Sequence, residues 1–228
     1  MALESTVRAG GLAGAMLLRL VVPVATMLAI GALALLLLFT PLYLHAALDA
    51  SGAPQWLGMS ADAAHEYSDR TVGDLLFGPA GFDFAAPDGS PFFTSDERAH
   101  MRDVRTVLYG FLALSAIAAG LLLIVAVRRR VDRGFVRSVG RGGGALAIGT
   151  IVVGVFAVVA FDAAFELFHR LLFPGGNFSF DPASQRLVQL YPFAFWQLSA
   201  LALGVLLVAG GAATWLVARR LQARATRA

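Results

Sequence analysis

Four stretches of this 228-residue chain carry no charged side chain: residues 20–44, 106–127, 142–161 and a run within 187–218. A helix needs about 20 apolar residues to cross the hydrocarbon core of a bilayer. Inside lipid, every backbone N–H and C=O must be satisfied within the segment, which leaves the helix as the form such runs take. With 58% hydrophobic and only 14% charged residues, the chain is not an ordinary soluble domain. The expected fold is all-α: a polytopic membrane protein with four transmembrane helices and an extracytoplasmic cap. The first run exceeds the ~7–15-residue hydrophobic region of a signal peptide, so it reads as a retained anchor.

Arginine sets the orientation, because short loops rich in positive charge stay on the cytoplasmic side. Arg128, Arg129, Arg130, Arg133, Arg137 and Arg141 lie between the second and third runs against a single acid, Asp132, and Arg219, Arg220, Arg224 and Arg227 follow the fourth. Both segments are expected to be cytoplasmic, together with the N-terminus and Arg8. The organisation that follows is a cytoplasmic lead (1–19), span one (20–44), an extracytoplasmic cap (45–103), span two (104–127), an Arg-rich loop (128–141), span three (142–161), an aromatic external segment (162–192), span four (193–218) and a tail (219–228). These arginines are topology determinants, so the sequence pI of 9.9 does not call for a nucleic-acid partner.

Missing residue types exclude chemistry. The chain has no cysteine and no lysine, so disulfides, thiolate metal sites, cysteine nucleophiles and Schiff bases are out. No serine stands in a nucleophile-elbow pattern, leaving acyl-enzyme hydrolysis of the Ser-His-Asp kind without a candidate. The triple glycine at 142–144 lacks the lysine and preceding strand of a phosphate loop and is read as a flexible hinge.

The first external segment is too long for a connector. Ser60 is placed to cap a helix through Ala61, Ala64, Tyr67 and Val72. Leu75, Leu76, Phe77, Phe82, Phe84, Phe92 and Phe93 are too apolar for a solvated loop and are expected on the bilayer or on the other external segment. His45 reads as an interfacial histidine, and His65, Glu66 and Asp69 as a solvated helix face. Pro23 is expected to bend span one near its start. Ser115, Ala116, Ala119 and Gly120, and Gly149 and Gly154 in span three, are expected at helix contacts.

Two stretches concentrate ionisable groups at membrane boundaries, TSDERAHMRDV at 94–104 and FELFHRLLFPGGNFSFDP at 165–182. In the first, Asp96 or Ser95 is expected to cap a helix running into span two. Asp103, three residues after His100, can approach that ring, with Arg98, Arg102 and Arg105 nearby. In the second, a helical extension of span three puts Glu166 three residues before His169, and Pro174-Gly175-Gly176 ends it. The topology puts both histidines on one side of the membrane. Ionisable groups at such an edge need partners or a task. Two imidazoles, each with a carboxylate in reach, among Phe168, Phe173, Phe178, Phe180 and Tyr67, point to general acid and base work on an amphipathic substrate entering from the lipid.

HMRDV at 100–104 ahead of one span, and FHRLLF at 168–173 through FDP at 180–182 to Tyr191-Pro192 after another, resemble the bacterial four-span lipoprotein intramolecular transacylase family. Phe178 and Tyr191 replace a usual tryptophan and phenylalanine. The resemblance implies transfer of the sn-2 acyl chain of a diacylglyceryl lipoprotein to the α-amine of its N-terminal cysteine, giving a lyso-form lipoprotein in the bacterial cell membrane. It maps the family's two catalytic histidines onto His100 and His169 and implies no cofactor and no resident metal. The partners implied are the diacylated lipoprotein and membrane lipid; nothing assigns an oligomeric state. In the implied mechanism His169, backed by Glu166, is the base. His100, oriented by Asp103, stabilises the oxyanion and protonates the leaving oxygen, a role Arg102 is placed to share; the two histidines' roles are interchangeable at this level. Two other readings stay open. One is a metal-dependent hydrolase using His100, Asp103, Glu166 and His169 as ligands, and the other is a non-enzymatic protein binding lipid headgroups.

Overall fold

The structure, a computed structural model, describes residues 16–128, 130–176 and 178–225. Arg8, Arg129 and Arg227, and most of the 1–19 lead, lie outside the described residues. A π-helical turn, Leu17–Val21, leads into α1 (Val22–Leu38). Then follow α2 (Pro41–Ser51), α3 (Ala53–Leu57), α4 (Ala61–Leu76), α5 (Ser95–Arg128), α6 (Arg133–Val159), α7 (Phe161–Leu172), α8 (Arg186–Leu190) and α9 (Phe193–Ala225). Among the described residues, four helical stretches are long and apolar enough to cross a membrane: Arg19–Leu38, Ser95–Arg128, Arg133–Ala157 and Phe193–Arg224. This is the number expected from composition.

The ends of the spans differ from the apolar runs for local reasons. Span one stops at Leu38 because Pro41 lacks an N–H and starts a new helix, α2, at its first position. Pro23 follows the π-helical turn at the second residue of α1. Span three starts at Arg133, nine residues before Gly142, because the Asp132 carboxylate accepts the Phe135 N–H at 2.7 Å and caps α6. At its far end the helix breaks at Ala160, so α7 is a separate helix and not an extension of the span.

By contacts the chain divides into two compact units. The first comprises residues up to 34, 112–154 and 204 onward. Here the expected glycine hinge is absent, since Gly142 and Gly143 lie inside α6 where helices touch. A Cβ on Gly142 would stand 2.6 Å from the Pro23 carbonyl oxygen, and one on Gly143 2.6 Å from that of Gly211. These glycines let α1 and α9 approach α6 backbone to backbone. Gly149, Gly154 and Gly120 have no described neighbour within 4 Å of the Cβ position, so they are not the expected contact points. On α5, Ser115 and Ala118 are buried while Ala116 and Ala119 are exposed, which turns the packed face one step from the one expected. Val22, Val125 and Phe135 form this unit's buried cluster, with Leu121, Leu122 and Val139 against it.

The second unit comprises residues 35–111 and 155–203. Ser60 caps α4, its hydroxyl accepting the Ala63 N–H at 3.2 Å. Ala64, Ser68, Thr71 and Leu75 are the buried face of that helix. Phe82, Phe92 and Phe93 are the largest fully buried side chains among the described residues and Phe84 is buried as well, so they form a protein core and not a lipid-facing patch. Only Phe77 of that group is highly exposed. Phe82 holds a left-handed backbone (φ 49°), a conformation disfavoured for bulky residues; the Asp74 carboxylate, which accepts its N–H at 2.7 Å, secures it.

Two of the three arginines expected near His100 have structural partners. Arg105 donates to the carbonyls of Asp74 (2.6 Å) and Gly78 (2.7 Å), closing the C-terminal end of α4, and Arg98 pairs with Asp83 at 3.0 Å. His45 and His65 are not isolated side chains but partners of each other. Their rings stack at 4.2 Å, and each binds the aspartate of the opposite helix, His45 to Asp69 at 2.9 Å and His65 to Asp49 at 2.8 Å. Each helix supplies a histidine and, four residues on, an aspartate, so the pairs cross reciprocally between α2 and α4.

Candidate active site

Helix α5 opens with Thr94, not with the expected Asp96 or Ser95. The Thr94 hydroxyl accepts the Glu97 N–H at 3.3 Å while the Glu97 carboxylate accepts the Thr94 N–H at 2.7 Å, a reciprocal capping box. One turn further, His100 points into the protein and is only 6% exposed. On α7, Phe161, Phe165 and His169 recur every four residues and are the less exposed face of a helix otherwise open to its surroundings; His169 is 9% exposed.

The two imidazoles meet with ring centroids 6.2 Å apart and planes 22° from parallel. Phe173 contacts both, at 4.9 Å from His100 and 5.7 Å from His169. Phe180 lies 5.4 Å from His100, edge on, and Phe178 lies 5.3 Å from His169. Phe165 packs closest, 4.2 Å from His169, and Phe168 stands edge on to the same ring at 5.3 Å. Thus four of the five aromatic residues expected around the site are there. Tyr67 is not among them in ring contact. It stacks on Phe92 at 3.8 Å and donates its hydroxyl to the Ala85 carbonyl, because α4 turns it toward the phenylalanine core.

The carboxylate expected behind His169 is also elsewhere. His169 Nδ1 lies 2.8 Å from the Phe165 carbonyl oxygen, which can only accept, so in the neutral ring Nδ1 carries the proton and Nε2 holds the lone pair. Glu166 pairs with Arg170 at 2.6 Å, both side chains being well exposed. A partner at i+4 on the same helix face competes for the carboxylate, while the ring turns inward. Asp103 and Arg102 are exposed on α5. Among the described residues, no three or more of His, Cys, Asp and Glu are arranged to hold a metal ion. His100, Asp103, Glu166 and His169 therefore do not form the ligand set of the hydrolase reading.

Two residues beside the site were not singled out by the sequence. Phe165 supplies both a ring and a carbonyl, a role its position four residues before His169 could have suggested. Glu97 is fully buried, and the Thr-x-x-Glu spacing at 94–97 was its signal. Beyond the site, burial pushes the Tyr191 phenol up to about 12, against a smaller opposing effect of its hydrogen bond with Ser68. Asp181 is held below the usual carboxylate range by the Ala183 N–H and the Ser184 hydroxyl, which order the turn after Phe180.

Solved structures of the membrane integral lipoprotein intramolecular transacylase Lit from Bacillus cereus share the fold. One has a TM-score of 0.77 at 20% identity, covering 93% of this chain and 97% of that one. A histidine-to-arginine variant of it gives 0.75 at 20% identity, covering 100% and 99%. A histidine-to-alanine variant gives 0.74 at 21% identity, covering 95% and 98%. No curated protein sequence matches. Residues 18–196 match the family described as "Lipoprotein intramolecular transacylase Lit". The chain is a member of the lipoprotein intramolecular transacylase family.

Proposed function

We propose that this protein moves the sn-2 acyl chain of a diacylglyceryl lipoprotein onto the α-amine of the same molecule's N-terminal cysteine, at the outer face of a bacterial cell membrane. The observation that carries this reading is the meeting of His100 and His169 among aromatic rings, 6.2 Å apart, with the protonation of His169 Nδ1 fixed by a backbone carbonyl. Family membership supplies the substrate class. The arginine distribution supports the orientation, with both termini and the loop after α5 in the cytoplasm.

The chemistry follows from the groups present. The substrate's α-ammonium, with an ordinary pKa of ~7.7–8.0, gives a proton to the free lone pair of His169 Nε2. The neutral nitrogen attacks the ester carbonyl carbon and forms a tetrahedral oxyanion. The nitrogen then passes its second proton to His100, which hands a proton on to the departing glyceryl oxygen as the C–O bond to glycerol breaks, and His169 returns the first proton to the medium. An amide and a free sn-2 hydroxyl result, and the atoms balance without cofactor or water. Acid–base assistance of this kind is worth ~10²–10⁴-fold. Holding amine and ester of one molecule together can lower the barrier by up to ~7–11 kcal/mol. The aromatic walls suit both tasks, since they exclude water from the ester and accept acyl chains.

The test is expression in a bacterium whose lipoproteins are diacylated, followed by mass spectrometry of N-terminal lipopeptides. An N-acyl, S-monoacylglyceryl product that disappears with His100→Ala and His169→Ala is the expected result. Unchanged diacylglyceryl lipopeptide in cells containing the intact protein refutes the reading.

A further inference from the structure

The aromatic wall formed by Phe178 and Phe180 leads into a short segment cross-linked by its own hydrogen bonds. Asp181 accepts from the Ala183 N–H and the Ser184 hydroxyl. Its own N–H goes to the Gln185 side chain, and Gln189 Nε2 donates to the Pro182 carbonyl at 3.0 Å. These bonds tie residues 181–189 to one another, and Phe180 directly precedes them. What fixes this piece against α5 is Glu97. One carboxylate oxygen takes the Leu187 N–H at 2.6 Å, the other takes the Thr94 N–H, and the side chain is wholly excluded from solvent. Gln185, the residue before α8, gives no side-chain cap, so a carboxylate from another helix satisfies an amide of its first turn. Glu97 also lies one helical turn before His100.

We infer that Glu97 is a positioning residue, one that touches no substrate but sets Phe180 against His100, and with it the wall that Phe178 continues beside His169, by tying the start of α8 to the start of α5. Burying a carboxylate is costly unless its hydrogen bonds are made; here both oxygens are used. The bond to Leu187 joins segments 90 residues apart in the chain. This inference rests on the proposed acyl transfer for its kinetic consequence, but not for the anchoring itself.

The experiment uses the full chain reconstituted in phosphatidylglycerol–phosphatidylethanolamine vesicles with a synthetic diacylglyceryl-cysteine lipopeptide. Glu97→Gln keeps size and one acceptor oxygen but offers an amide NH₂ where the second oxygen was. Thr94→Val removes only the hydroxyl half of the capping box and serves as the stability control. Hydrogen exchange of residues 178–190 is measured alongside kcat and KM. The expected result for Glu97→Gln is at least tenfold faster exchange in this segment and a ten- to hundredfold lower kcat, with KM changed less than threefold. Thr94→Val should lower the thermal midpoint while leaving both kcat and that exchange at wild-type values. Wild-type exchange and kcat in Glu97→Gln overturn the inference, as does an equal loss of kcat in Thr94→Val, which would make the effect one of stability. Should Glu97→Gln fail to fold, Glu97→Asp, which keeps the charge but shortens the reach, is judged by the same two readouts. If the wild type leaves the lipopeptide unchanged, the functional reading fails and the exchange arm alone decides the anchoring.

Discussion

The Nδ1–H of His169 donates to the carbonyl oxygen of Phe165 at 2.8 Å, one helical turn back on α7. That single bond sets the tautomer of the ring, aims Nε2 away from its own helix and takes over the duty that the sequence had given to Glu166. A backbone acceptor cannot be protonated or swing away, so the ring's orientation does not depend on the state of a surface carboxylate.

Glu166→Gln should therefore leave transacylation nearly intact, with kcat within about twofold of wild type. Its partner is Arg170, and both are exposed, a setting in which ion pairs contribute ~0–1 kcal/mol. Steady-state kinetics on the lipopeptide check this; a loss of a hundredfold would restore Glu166 as the group behind His169.

Gly143→Val should weaken the first unit. The new side chain begins 2.6 Å from the Gly211 carbonyl oxygen and 2.8 Å from Thr214 Cβ, and overpacking of this sort costs ~1–3 kcal/mol. Gly149→Ala, where no described atom lies within 4 Å, should be neutral or stabilising by up to ~1 kcal/mol. Thermal midpoints in detergent distinguish the two, and equal midpoints would contradict the close helix contact.

The crossed pairs His45–Asp69 and His65–Asp49 should show coupling in double-mutant cycles. With the two aspartates 45% and 51% exposed, each pair is expected to contribute only ~0.2–1 kcal/mol. Removing one histidine also strips the stacking partner of the other, so the His45→Ala and His65→Ala effects should be less than additive. Strict additivity would mean that the rings do not meet.

Alkaline stability should depend on Tyr191. Its folded-state pKa of about 12 lies above the ordinary phenol value. The stabilisation from keeping it neutral is complete below about pH 10 and is lost as pH rises toward 12. Tyr191→Phe should flatten the fall in thermal midpoint across that window. An unchanged slope would show that the phenol is not what titrates.

Much of the architecture was legible because crossing a membrane requires a long uncharged helix, and length and composition report that directly. The joint arrival of His100 and His169 could be argued from topology alone. What the sequence hid depends on neighbours distant in the chain. A spacing of three residues makes Glu166 a possible partner of His169, but it says nothing of Arg170 competing for the carboxylate or of the ring turning to the Phe165 carbonyl. Glu97 shows its capping box in sequence, yet its bond to Leu187 spans 90 residues and leaves no local trace. The glycines at 142–144 permit both a hinge and a tight helix contact; only the carbonyls of Pro23 and Gly211 decide between them. Tyr67 was expected beside the two histidines but is claimed by Phe92 through a stack at 3.8 Å.

The most direct test is to follow one labelled acyl chain. A lipopeptide carrying a ¹³C-labelled fatty acid only at sn-2 is incubated with the purified protein in vesicles, and the product is fragmented by mass spectrometry. The account predicts the label on the cysteine nitrogen with a free glyceryl hydroxyl in the same molecule, and a rate lowered at least ~10²-fold in His169→Ala. Label released as free fatty acid, or transfer at an undiminished rate without His169, would contradict it.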